Sequence, residues 1–366
     1  MTRPARVTLN LTALAHNLAQ VRRHAPAAKV MAVVKANAYG HGAVVVARTL
    51  AAAGADALGV ACLEEAVELR NAGIACPILL LEGVFCADEM TQILQHRLDL
   101  VVHSLEQVAC LEQLMAVPAP KPWLPRVWLK VETGMHRLGF LPAELAPVWR
   151  RLAALPGIAD SLVLMSHLAN AGNPDDDYTR TQRLAFDQVC ETYSGTPRSL
   201  ANSAATLLWP ETHYQWVRPG IMLYGVSPVP GRSAADLDLL PVMTVTSEII
   251  EIKHCRKGDT VGYNRTWVCP EDMPVGVVAF GYGDGYPRHI REAAPVRVNR
   301  ATVPLVGVVS MDMLTVDLRT QPDAKVGDPV ELWGAGLPVE TVAEYAATIP
   351  YELLCRITRR VQVQLV

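Results

Sequence analysis

The feature that most constrains this chain is a strict alternation over roughly its first 225 residues. Short β-branched runs at 30–34, 58–61, 78–81, 100–102, 127–131, 162–165, 199–201 and 216–217 are separated by longer Ala/Leu-rich stretches with charges at helical spacing. In 63–72, for instance, Glu64, Glu65, Glu68 and Arg70 punctuate Ala66, Val67 and Leu69, and 181–193 repeats the pattern. Strands that each hand over to a helix, with no long break, predict an α/β fold with a closed (β/α)₈ barrel.

The pattern changes from about residue 240. Runs at 242–252, 275–280, 296–298, 303–309, 314–318 and 330–333 follow one another across Gly/Pro/Asp turns. Only 341–348 has a helical pattern, and the tail 356–366 alternates again. This predicts a second, mostly β domain, with the junction in 227–238 around Pro228, Pro230 and Gly231. The expected division is therefore 1–230 for the barrel and 231–366 for the β domain.

Charge and composition exclude several functions. A formal charge of -3 on 366 residues is not the basic footprint of a nucleic-acid protein, nor does it favour an anionic membrane surface. The start Met1-Thr2-Arg3-Pro4 leads into mixed sequence with no apolar signal region, and the apolar stretch 43–53 is broken by Arg48. The eight cysteines form no C-x-x-C pair, so neither a metal site nor a disulfide framework is expected. Free thiols suit a reducing, cytoplasmic compartment.

Barrel chemistry collects where strands end. The predicted strand ends lead into Lys35, His103, Lys130 with Glu132, Ser166-His167, Asn202-Ser203 and Arg218-Pro219-Gly220-Ile221. A lone lysine after an apolar strand would escape to solvent, but several polar groups converging on one mouth reverse that expectation. A lysine withdrawn from water supplies a nucleophilic amine able to form a Schiff base. Ser203 and the backbone at Gly220 and Ile221 suit a phosphate, Tyr39 offers a phenol, and Arg137 and Arg218 are fixed cations. By themselves these residues support a barrel enzyme with an anionic ligand and a candidate lysine imine.

The ordered motifs then bring a resemblance. The segment Ala32-Val33-Val34-Lys35-Ala36-Asn37-Ala38-Tyr39-Gly40-His41-Gly42 resembles the pyridoxal-phosphate (PLP) attachment segment of the bacterial alanine racemase family. His16-Asn17-Leu18, Lys130 to Gly139, Met165-Ser166-His167, Ala201-Asn202-Ser203 and Arg218-Pro219-Gly220 are similar in order. So are Gly262-Tyr263-Asn264-Arg265-Thr266, Gly281 to Tyr286, Ser310-Met311-Asp312 and Tyr351-Glu352. The resemblance implies a PLP barrel followed by a β domain, in a homodimer whose sites are each completed by the partner's β domain. It implies that Lys35 carries PLP, and that Tyr39, Ser203, Gly220, Ile221 and Tyr351 hold its phosphate, with Asn202 beside them. Arg218 would face the pyridine nitrogen. His167 would lie beside the ring and link Arg218 to the tyrosine base. Arg137 would lie near the phenolic oxygen and the substrate, next to Lys130, which is carbamylated in many relatives. Tyr263 would be the second catalytic base, while Met311, Asp312 and Tyr282 would line the substrate side. Alone, Tyr263 or Tyr351 would read as an ordinary β-domain tyrosine, Lys130 as a strand-end lysine and Met311 as core.

The activity so implied is interconversion of L- and D-alanine by two bases, Lys35 and Tyr263, on opposite faces of the α-carbon. Racemases of serine or of broad specificity, a non-catalytic PLP carrier and PLP decarboxylases are the competing readings. Gly172 stands where relatives often have Asp, and Val308 where they often have Arg, in the implied corridor to the site. The sequence leaves open a biosynthetic or catabolic role.

Overall fold

A computed structural model describes residues 3–117 and 123–366. Met1 and Thr2, which open the segment read for a signal, lie outside the described residues.

Eight parallel strands close into the expected barrel. They are β2 (Lys29–Val33), β3 (Ala57–Val60), β4 (Ile78–Leu80), β5 (Asp99–Val102), β6 (Val127–Lys130), β7 (Val163–Met165), β8 (Arg198–Ser199) and β9 (Trp216–Val217). β3 through β7 are buried on both faces, which is why they read as unbroken apolar runs rather than as alternation. One set of side chains fills the barrel itself, with Met31, Leu79, Val101, Trp128, Val163, Met165 and Trp216 packed together. The Trp128 and Trp216 rings meet edge to face at 5.3 Å. This plug leaves the strand ends as the place where polar groups can gather.

The second domain is built on an eight-stranded sheet. Its strands include β10 (Met243–Cys255), β13 (Met273–Val278), β14 (Pro295–Val298), β15 (Ala301–Val306), β16 (Leu314–Asp317), β17 (Pro329–Trp333) and β18 (Gln362–Leu365). A two-stranded hairpin, β11 (Thr260–Val261) and β12 (Trp267–Val268), projects from it. The eighth strand of the large sheet is β1 (Arg6–Leu9), antiparallel to β10 and parallel to β18. The division at 1–230 therefore assigns these residues to the wrong body. Val7 and Leu9 face the second core, and their strand partners begin at Met243, so no local signal marks where they belong.

A second departure matters for the site. Besides the helix Val339–Tyr345, the β domain contains a six-residue helix, Pro350–Cys355, too short to show a period in the sequence. It lies against the barrel at Gly40, where a Cβ would fall 2.2 Å from the Leu354 carbonyl oxygen. The positive φ of 80° at Gly40 is a further reason for glycine there. This contact brings Tyr351 to the barrel mouth, with its ring 5.7 Å from that of Tyr39.

Candidate active site

A cavity of about 570 Å³ opens at the strand ends. Lys35, Tyr39, Lys130, Arg137, His167, Asn202, Ser203, Arg218, Gly220, Ile221 and Tyr351 all line it, as do Glu82 and Gly172. All the residues expected on the cofactor side thus share one wall-to-wall space.

Lys35 enters it from an unusual piece of backbone. β2 runs straight into a left-handed turn, with φ of 53° at Ala36, Asn37 and Ala38 and 51° at Tyr39. Each non-glycine residue in that conformation costs roughly 1–2 kcal/mol. The turn sets Lys35 at its start and Tyr39 at its end, so both point at the same cavity. Burial, and then the neighbouring Tyr351, push the Tyr39 phenol well above its ordinary range, so it remains a neutral donor.

Arg218, which lines the cavity, is held by several protein acceptors. Nη1 donates to Ser199 Oγ at 2.6 Å, and Nη2 to the carbonyls of Ser166 at 2.6 Å and Leu200 at 3.3 Å. Nη2 also lies 3.3 Å from His167 Nδ1. A guanidinium only donates, so that nitrogen must accept and a neutral His167 carries its proton on Nε2. Burial, followed by the charges of Arg218, Lys130, Arg137 and Lys35, holds His167 well below the usual histidine range, which keeps it neutral.

The cavity is overwhelmingly cationic. Among the described residues, Lys35, Lys130, Arg137 and Arg218 line it against one carboxylate, that of Glu82. Burial, then Arg218 and Arg137, lower Lys130 to about 8, so its amine is partly neutral near physiological pH. Such a cluster needs an anion, and a phosphorylated ligand supplies one. The far wall is shaped for the same purpose. Ser203 Oγ accepts from Gly220 N–H at 2.8 Å and from Met222 N–H at 3.4 Å, while Asn202 caps the helix Ser203–Leu208 by accepting from Ala205 N–H at 3.0 Å. A Cβ at Gly220 would sit 2.6 Å from the Tyr39 hydroxyl, so only glycine lets the phenol and this backbone approach together. Hydroxyls, backbone amides and cations around one space fit the group PLP: Tyr39, Ser203, Gly220, Ile221 and Tyr351 for its phosphate, Arg218 and His167 for its ring.

Not every strand-end group reaches the cavity. His103 stands outside it, its Nε2 3.0 Å from the Glu82 carbonyl oxygen, so the expected convergence does not include it. Glu82, beyond the end of β4, is a lining residue that sequence reasoning missed, although the strand-end rule could have found it. Glu132 turns under its own loop and accepts from Gly134 and Arg137 N–H, fixing the course of the chain toward Arg137.

The β-domain candidates lie elsewhere. Tyr263, in a turn between β11 and β12, is 62 % exposed, and Met311 is 53 % exposed. Tyr282 N–H donates to the Ser310 carbonyl at 3.0 Å and Gly283 N–H to that of Met311 at 2.8 Å, which ties the two loops together. Asp312 is bridged by Arg360 at 2.6 Å. None of these four lines the cavity of its own chain.

A barrel whose mouth joins a strand-end lysine to a cationic, phosphate-shaped cavity, followed by a β domain, defines a PLP enzyme of the two-domain barrel class. Comparison with known proteins sharpens this. Residues 9–228 match the family described as alanine racemase, N-terminal domain, and residues 242–365 match its C-terminal domain. An alanine racemase of Nitrosococcus oceani is 52 % identical over 353 residues, covering 96 % of this chain and 97 % of that one. One from Coxiella burnetii is 46 % identical over 98 % of both. The crystal structure of the biosynthetic alanine racemase from Pseudomonas aeruginosa superposes with a TM-score of 0.95 at 45 % identity, over 100 % of both chains. The chain belongs to the alanine racemase family, whose members are PLP-dependent amino-acid isomerases. Among the described residues no helix is long and apolar enough to cross a membrane.

Proposed function

We propose that this protein interconverts L- and D-alanine in the cytoplasm as a homodimer with shared active sites, using Lys35 on one face of the α-carbon and Tyr263 of the partner subunit on the other. The family and its relatives support the reaction. The observation that carries the arrangement is the separation within one chain: Lys35 lines the cavity, whereas Tyr263 and Met311 stand exposed outside it. A second copy of the β domain laid over the barrel mouth would bring both to the cavity.

PLP, when bound, delocalises the electron pair left at the α-carbon when its proton departs. Lys35 supplies the amine that anchors the cofactor and, once displaced by substrate, takes or returns a proton on its own face. Tyr263 does the reverse on the opposite face. A phenol needs cationic surroundings to act as a base near neutrality, and Arg218, in contact with His167, would be a fixed source of them. Arg218 has a second role. Held by Ser199, Ser166 and Leu200, and still a cation at neutral pH although burial lowers it to about 9, Arg218 would disfavour protonation of a pyridine nitrogen bound near it and so would limit return of the proton to the wrong carbon. Arg137 and the backbone at Met311 would receive the substrate carboxylate, with Tyr282 and Asp312 completing that side. Carbamylation of the partly neutral Lys130 amine would offset one cation of the cluster.

Chiral chromatography of L-alanine incubated with the purified protein and PLP tests the reaction. Equal amounts of both enantiomers at equilibrium are expected, and no D-alanine would refute it. Serine and other amino acids in the same assay decide breadth, since a pocket for a methyl group rejects an added hydroxyl only moderately.

A further inference from the structure

The main-chain ladder between β2 and β3 stops just before Lys35, and a side chain takes over from it. Val33 pairs with Gly59, and the Val34 N–H donates to the Gly59 carbonyl at 2.8 Å. Beyond that point β2 turns left-handed and can no longer pair with its neighbour. The carboxylate of Glu65, in the first turn of the helix Leu63–Asn71, fills the gap. One oxygen accepts from the Ala36 N–H at 2.6 Å, and the other from the Ala61 N–H at 2.8 Å. Ala36 directly follows Lys35, and Ala61 directly follows β3. The carboxylate is therefore one more rung, laid across the two strands where the backbone runs out. Lys35 lies between the last main-chain rung and this one, fixed on both sides. At the far end of the turn Asn37 Oδ1 accepts from Ala43 N–H at 2.8 Å.

We infer that Glu65 is a positioning residue for Lys35: by pinning the Ala36 amide to the end of β3 it holds the strained turn, and so returns the lysine amine to one place each time it leaves and regains the cofactor. Glu65 does not line the cavity, and no role in racemisation attaches to it by resemblance. A charged acceptor taking two amides is the strong form of such a bond. The four consecutive left-handed residues that follow Lys35 persist only if their surroundings over-determine them. The inference rests on Lys35 being the cofactor lysine.

The test uses the holoenzyme and compares wild type with Glu65→Ala and Glu65→Gln. Glutamine keeps the reach but only one acceptor oxygen, so it retains one of the two amide bonds. Three readouts are taken: kcat and KM for alanine, borohydride labelling of Lys35 after PLP is removed and restored, and amide hydrogen exchange of residues 35–42. The expected result is a kcat about 10–100-fold lower in Glu65→Ala with KM little changed, as small misplacements of a reacting group produce. Lys35 labelling should be correspondingly slower and exchange in 35–42 faster, with Glu65→Gln between the two proteins. Should Glu65→Ala fail to fold, the same ordering of Glu65→Gln below wild type decides. Wild-type kcat, labelling rate and exchange in Glu65→Gln and in any folded Glu65→Ala would overturn the inference while leaving Lys35 as the cofactor lysine. A label on another lysine in the wild-type protein would instead overturn the cofactor assignment, and this inference with it.

Discussion

The barrel mouth and the β-domain loops, the two halves of the proposed shared site, stand in opposite physical states. At the mouth several groups are anchored: Arg218 by three protein oxygens, His167 by Arg218, and the backbone before Lys35 by the strand ladder. On the β domain, Tyr263 projects, largely exposed, from a hairpin turn in which Asn264 and Arg265 have positive φ. Met311 is presented by a loop whose own fixing is excellent. Behind it the fully buried Asp284 carboxylate takes Arg3 at 2.6 Å and Arg360 at 2.9 Å. A loop so firmly built yet ending in an exposed methionine is a finished surface without its partner. The difference is the one the proposed shared site requires: within one chain Lys35 lines the cavity while Tyr263 and Met311 stand exposed outside it.

The largest effect should come from the exposed half. Tyr263→Phe removes one hydroxyl from a solvent-facing ring, so folding and PLP binding should persist while racemisation falls by about 10²–10⁴-fold, the usual worth of a general base. Lys35 would still exchange the proton on its own face. In deuterated water the variant should wash deuterium into one enantiomer, D-alanine by the family resemblance, much faster than into the other. Near-normal racemisation would mean the two regions do not cooperate as described.

The anchored half gives a smaller, pH-dependent signature. Lys130 has its folded value lowered from 10.5 to about 8, chiefly by burial and then by Arg218 and Arg137. Between those two values the unfolded chain binds the proton that the folded chain has given up, so stability rises with pH across that window. Below about 8 the buried charge is a constant cost to the fold. Urea midpoints of the cofactor-free protein should therefore increase from pH 8 toward 10.5 relative to Lys130→Met, and a flat difference would contradict the shift.

The smallest effect is expected at the cavity rim. Gly172 sits where a Cβ would lie 2.8 Å from the Pro228 carbonyl oxygen, while Val308 lies in the β domain beside Gly262. Gly172→Asp must push the Pro228 segment outward, so kcat/KM should fall by no more than about tenfold, within the range for a change outside the reacting groups. A Gly172→Asp, Val308→Arg double variant that restores activity would show that the two positions act together.

Much of this was legible because barrel geometry turns sequence position into spatial position. Lys35, Lys130, His167, Ser203 and Arg218 each lie at or within four residues of a strand end, and the closed sheet gathers them at one mouth. What stayed hidden depended on contacts distant in sequence. β1 belongs to the second sheet because β10 and β18 pair with it, and nothing in Arg6–Leu9 announces those partners. The helix Pro350–Cys355 is too short for a period, so only the motif around Tyr351, not a pattern, points to that residue. Glu65 looked like one charge among several on a helix face, because its two acceptors matter only beside a left-handed turn that no propensity predicts.

The claim that each site draws on two chains is tested most directly by mixing two inactive proteins, Lys35→Ala and Tyr263→Phe, under conditions where subunits exchange. Half of a randomly mixed population would be hybrid dimers, each with one site holding both native groups, so about one active site in four should recover. Racemisation returning toward that level, while neither parent alone shows it, is the expected result; no recovery despite demonstrated exchange would contradict shared sites.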